Sequence, residues 1–183
     1  KTNEKFTSSQ IFGTNYCFES PTYGEASLSE KSVILKDSHT DIPLLPSSVG
    51  VGISQVFPFV VATSLEQDLI VSCEQPELHI HPKWQLALGD MMLEATKQNL
   101  DRMFLIETHS EYLLLRLLKR RRQTADEEID YEPFGCKKSD VQIVFCEQSE
   151  GKTRLIPIKT TDEGEFDAPW PNGFFEERRE ELF

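Results

Sequence analysis

Apolar residues along the middle of this chain alternate between two spacings. Residues 69–73, 103–106 and 141–145 are short, nearly continuous apolar runs rich in branched and aromatic side chains, the pattern of strands covered on both faces. Between the first two, Trp84, Ala87, Leu88, Met91, Leu93 and Ala95 fall largely three and four residues apart. That spacing predicts an amphipathic helix over residues 82–100, with Pro82 suited to its first turn. A second helix is expected over residues 110–122, where Ser110 can serve as N-cap, Glu111 lies in the first turn and basic residues fill the last. The order strand, helix, strand, helix, strand predicts an α/β fold with a mainly parallel sheet and right-handed crossovers, its ligands gathering at the carboxyl ends of the strands. Residues 141–145 and 154–158 also fit a hairpin, and the charged stretch 124–140, with Pro133 and Gly135, reads as a mobile connection.

Residues 1–45 carry no assignable motif. They are rich in serine and threonine, with short apolar pieces such as Ser32-Val33-Ile34-Leu35, and read as the end of an upstream region. A chain of 183 residues, 38% hydrophobic, is long enough for one core and too short to promise two. The apolar run 56–62 contains Pro58 and is far short of the ~20 residues a membrane span needs, so no membrane partner is expected. Residues 1–9 are polar, unlike a secretory leader. Four dispersed cysteines without a C-x-x-C pair fit a reducing, cytoplasmic setting. With 19 basic against 31 acidic residues, a formal charge of −12, the surface as a whole should repel phosphate backbones, which does not favour nucleic acid as a partner of this chain.

Gly151-Lys152-Thr153 follows a predicted strand, where a phosphate-binding loop belongs. Cys146 stands in the position of the leading glycine, however, and the following Arg154-Leu155-Ile156-Pro157-Ile158 reads as strand rather than as the helix whose first amides would hold the anion. These residues are therefore expected to form a turn.

The candidate chemistry lies elsewhere. The first predicted strand empties into Glu74-Gln75-Pro76-Glu77, followed by Leu78-His79-Ile80-His81-Pro82; the second ends in Glu107-Thr108-His109-Ser110. Ahead of both lies Ser48-Val49-Gly50-Val51-Gly52-Ile53-Ser54-Gln55, where glycines would let backbone approach phosphate and amides and hydroxyls would hold it. In this order the three segments resemble the signature motif, Walker B strand and switch-histidine segment of ABC-type ATPases, particularly predicted ATPases related to the overcoming-lysogenization-defect and structural-maintenance-of-chromosomes heads. The tail, with Trp170-Pro171-Asn172-Gly173-Phe174-Phe175, resembles the one that follows the head in that group.

The resemblance implies the C-terminal lobe of an ABC-type P-loop NTPase over residues 46–140, lacking the Walker A lobe, with a terminal hairpin and aromatic tail over 141–183. It implies ATP and Mg²⁺ as cofactors, with Glu74 in the metal role, His109 as γ-phosphate sensor, and Ser48, Gly50, Gly52, Ser54 and Gln55 facing nucleotide. Gln75 stands where the general base is normally a glutamate; an amide orients water but does not take its proton, so either hydrolysis is slow or Glu77 substitutes. The implied partners are the Walker A lobe, a second head that clamps ATP in a dimer, and an effector protein, in DNA maintenance or defence against foreign DNA.

Blander readings stand beside these. His79 and His81 would suit zinc or manganese together with the nearby glutamates, or simply shape the loop before Pro82. His109 taken alone is a hydrogen-bonded loop histidine, and Cys73 is core. Arg116, Lys119, Arg120, Arg121 and Arg122 can touch phosphate, although a basic last turn also suits the helix dipole. Against the ATPase reading stands that of a noncatalytic scaffold or docking module derived from a head.

Overall fold

The computed structural model describes residues 5–6, 16–19, 22–23, 30–31, 34–37, 39–45, 48–64 and 70–173. Ser32, Val33, Leu69 and the tail from Phe174 onward lie outside the described residues. The chain divides into two compact units, Lys1–Leu113 and Leu114–Phe183, rather than the single one its length suggested. The division falls inside a helix.

In the first unit, the stretch without assignable motifs forms short strands: β1 (Lys5–Phe6), β2 (Tyr16–Glu19), β3 (Thr22–Tyr23), β4 (Glu30–Lys31), β5 (Ile34–Asp37) and β6 (Pro43–Leu44). Four of them make an antiparallel sheet in the order β1-β2-β5-β6, and β3 pairs with β4. Leu35 in β5 is fully buried and supplies the sheet's apolar anchor.

Helix α1 (Val51–Ser64) follows and runs through Pro58. A proline inside a helix removes one N–H and costs about 3 kcal/mol. Burial of Val56, Phe59 and Val60 on the same element offsets that cost. Strand β7 (Ile70–Glu74), helix α2 (Pro82–Gln98) and strand β8 (Met103–Glu107) come next, as the apolar spacing predicts. α1 packs against α2, whose buried stripe of Leu88, Met91, Met92, Leu93 and Ala95 is a large part of the core of this unit.

β7 and β8 pair in parallel, from Ile70 opposite Met103 to Glu74 opposite Glu107. One face, carrying Phe104, packs on α1, with the Phe59 and Phe104 rings stacked at 6.3 Å. The other face is open: Ile70 is 69% exposed, Met103 51% and Leu105 62%. The sequence pattern suggested two covered faces; among the described residues only one is covered. Arg102, which no motif singled out, locks the arrangement. It is buried and donates to the carbonyls of Thr63, at 2.9 Å, and Ala95, at 3.4 Å, so one guanidinium satisfies acceptors near the C-termini of both α1 and α2.

Helix α3 (Glu111–Ala125) begins as expected, with the Ser110 hydroxyl accepting the Leu113 N–H at 3.0 Å. It carries the division between the units. In the second unit, strand β9 (Ile143–Ser149) pairs with β10 (Lys152–Ile158) as an antiparallel hairpin. The third predicted strand therefore joins this hairpin, not the parallel pair, and among the described residues the expected mainly parallel sheet is confined to β7 and β8. Glu150 and Gly151 both have positive φ at the hairpin's two-residue turn, which explains Gly151-Lys152-Thr153 without phosphate. The stretch expected to be a bare connection is tied by hydrogen bonds: the Cys136 N–H reaches the Thr124 hydroxyl, and the Tyr131 hydroxyl reaches Asp140. Phe145 and Phe166 both pack edge-on against Trp170, as expected of aromatic anchors in the tail.

The loop after β10 is pressed onto α3. Gly164 has φ +74°, and a β-carbon there would fall on the Leu118 carbonyl oxygen, while Arg121, almost fully buried, donates to the Thr160 hydroxyl. Gly164→Ala should therefore destabilise the second unit by about 2–4 kcal/mol, from the left-handed backbone and the overpacking together. Urea unfolding followed by Trp170 fluorescence measures this loss.

Candidate functional site

The site is built on the carboxyl ends of β7 and β8. Because the two strands are parallel and in register, the loops that leave them emerge side by side, and the pairing runs one residue past β7 through the Gln75 N–H to the Glu107 carbonyl, at 2.8 Å. Glu74 and Glu107 are consequently neighbours at the sheet end, both exposed. Gln75 and His79 adopt positive φ, +46° and +61°. For residues other than glycine such backbone costs on the order of 1–3 kcal/mol and persists only where surrounding contacts impose it.

Those contacts are specific. Glu77 is only 9% exposed, and its Oε1 accepts the His109 N–H at 2.8 Å. Gln85, in the first turns of α2, donates to the Ile80 carbonyl at 3.2 Å and to the Glu77 carbonyl at 3.5 Å, while its Oε1 accepts the Ser110 hydroxyl at 2.7 Å. Two side-chain ties thus couple the loop after β7 to the loop after β8. The His109 side chain is 63% exposed, with Nε2 3.4 Å from Glu107 Oε1. Its backbone is held while its imidazole faces solvent.

The segment that resembles a signature motif enters the same unit from another direction. A β-carbon on Gly52 would sit 2.6 Å from the His79 carbonyl oxygen, so glycine is needed there for α1 to approach the loop, whatever else it does. Gly50 has no such neighbour within 4 Å, and Ser48, Ser54 and Gln55 are exposed at the start of α1. Glu74, Gln75, Glu77 and His109 are brought together; Gly52 touches the far end of their loop, and Gly50, Ser48, Ser54 and Gln55 lie around the N-terminus of α1.

His81 is the N-cap of α2, its Nδ1 accepting the Lys83 N–H at 3.2 Å, so the loop-shaping reading accounts for it. Among the described residues no three histidines, cysteines or acidic residues are grouped to hold a metal ion. A magnesium ion does not need such a group, since one or two carboxylates with phosphates and water complete its shell, and exposed Glu74 fits that demand. Burial, then the carboxylates of Glu77 and Glu74, raises the pKa of the Cys73 thiol and keeps it protonated beside the site.

Sequence reasoning passed over Gln85 and Arg102, and gave Glu107 no role of its own within the switch-histidine segment. A polar residue in the first turns of an otherwise apolar helix face was the one signal for Gln85; Arg102 gave none, because its partner Thr63 is distant in sequence. Of the basic cluster on α3, Arg121 is buried and Arg120 is engaged by Gln123 and the Phe134 ring, which shrinks the phosphate-facing footprint.

A family model described as "Protein of unknown function (DUF3696)" matches residues 136–183, which hold the β9–β10 hairpin and the aromatic tail. No curated protein matches the chain. No helix among the described residues is long and apolar enough to cross a membrane.

Proposed function

We propose that this chain is the Walker B and switch-histidine part of an ATP-binding, slowly hydrolysing head, whose lysine-bearing phosphate loop comes from another lobe. The observation that carries this reading is the pairing of the Glu74–Gln75 and Glu107–His109 strand ends, in parallel register and tied together by Glu77 and Gln85. Support comes also from the open face of Ile70, Met103 and Leu105, which a further layer of structure would cover, and from the tail's match to a family commonly found in AAA-like ATPase proteins.

In this reading Glu74 would hold Mg²⁺, which supplies charge neutralisation at the β- and γ-phosphates. Gln75 orients the attacking water without taking its proton, which makes turnover slow. The exposed imidazole of His109 donates to the γ-phosphate, with Glu107 beside it to set the ring's orientation. The open N-terminus of α1, with Ser48, Gly50, Ser54 and Gln55, faces the nucleotide of a second head, so ATP closes a dimer and the closure is passed to an effector in DNA maintenance or defence. Gln75 also favours a second reading, a noncatalytic scaffold that keeps the head's shape without its turnover.

Calorimetric titration with ATP and Mg²⁺ separates them. The chain by itself should bind with Kd weaker than about 1 mM, under ~4 kcal/mol, because its sequence carries no complete phosphate-binding loop. Together with the lobe that carries the phosphate loop, affinity should rise to micromolar. Micromolar binding by this chain alone, or no gain with the second lobe, overturns the ATPase-lobe reading.

A further inference from the structure

We infer that Glu77 is a positioning residue that acts through His109, and not the base that replaces Gln75; the inference rests on the ATPase reading above. A general base must reach the attacking water, at about 2.6–3.2 Å, with an oxygen free to take its proton. Neither oxygen of Glu77 is so placed. Oε1 is committed to the His109 N–H at 2.8 Å, and Oε2 is buried with no hydrogen-bond partner among the described residues. The residue as a whole is 9% exposed. A carboxylate turned inward in this way cannot meet water at the sheet end, but it can fix the backbone from which the exposed imidazole projects.

The cost of that burial is the clue to its use. A carboxyl oxygen held away from water without a partner is unfavourable, and the hydrogen bond that the other oxygen accepts from a backbone N–H is the return on it. That bond ties residue 77 to residue 109, bridging the two loops that the parallel pairing brings side by side. Gln85 and Ser110 make the second bridge one residue further along, so the His109 backbone is flanked on the Ser110 side by another anchor. An acceptor of the same shape at position 77 should therefore keep most of the effect, whereas a base has no substitute in an amide.

The test compares Glu77→Gln with Glu77→Ala. In this chain, amide hydrogen exchange at His109 should quicken at least about tenfold in Glu77→Ala and less than about threefold in Glu77→Gln, the difference between losing and keeping an acceptor. In the protein complete with its phosphate-loop lobe, Glu77→Gln should keep at least about a third of kcat with the pH profile unchanged, while Glu77→Ala loses about tenfold or more in kcat with KM little altered. A Glu77→Gln enzyme as slow as Glu77→Ala, with its acidic limb gone, would make Glu77 the base and overturn the inference. Unchanged His109 exchange in Glu77→Ala would overturn it too. If Glu77→Ala does not fold, the Glu77→Gln arm still decides between base and anchor. Absence of turnover in the unaltered complete protein counts against the ATPase reading instead, and leaves the exchange measurement to judge whether Glu77 holds His109.

Discussion

On the proposed ATPase reading, His109→Ala should lower kcat of the complete, phosphate-loop-bearing protein by about 10²-fold, with a much smaller change in KM, because a donor aimed at developing phosphate charge would act mainly in the transition state. The structure makes this a clean substitution. The imidazole is 63% exposed, Glu107 lies 3.4 Å from its Nε2, and the bond that fixes the loop runs through the backbone N–H, which alanine keeps. Stability should therefore change little, and a loss of turnover belongs to the imidazole. Steady-state phosphate release measures it. Turnover that survives the change would remove His109 from the site and with it the reason for placing γ-phosphate at the end of β8.

Leu88→Ala is expected to destabilise the first unit by about 2–5 kcal/mol, the range for removing a large aliphatic side chain from a site that cannot collapse. Leu88 is fully buried on α2, within the stripe that packs this helix into the unit. The consequence reaches the site, since α2 carries both the His81 cap and Gln85, which holds the Ile80 carbonyl and Ser110. A loosened α2 releases the loop that Glu77 and Gln75 occupy. The chain has two tryptophans, Trp84 in the first unit and Trp170 in the second. In a Trp170→Phe background, urea unfolding followed by Trp84 fluorescence reads the first unit alone, and a midpoint unchanged by Leu88→Ala would contradict the role given to this core.

The two effects differ in kind because the site separates support from chemistry. Buried groups hold backbone: Glu77 on His109, Arg102 on the ends of α1 and α2. The exposed Glu74 and His109, with half-buried Gln75 at the strand end, are the side chains the proposed reading assigns to a ligand. Gly52 belongs to the first class by its approach to the His79 carbonyl, whereas Gly50, with open space around it, has no packing reason to be glycine.

Much of this was legible in the order of residues, and for a local reason. β7, α2, β8 and the start of α3 follow from the period of apolar positions and from caps that act within a few residues, such as Pro82 after His81 and Ser110 before Leu113. The clustering of acidic residues and a histidine at strand ends was legible for the same reason. What the sequence could not determine depends on contacts between residues far apart in the chain. That β9, among the described residues, joins only its hairpin, and not also the parallel pair, is one such case, whereas the hairpin itself was legible in the two apolar runs on either side of the Glu150-Gly151 turn. That one face of the β7–β8 pair stays open, that Glu77 points inward to the His109 N–H, and that Arg102 serves two helix ends were decided only by tertiary packing. Periodicity tells a residue which face it belongs to; only the assembled neighbours tell a carboxylate whether it meets water or an amide.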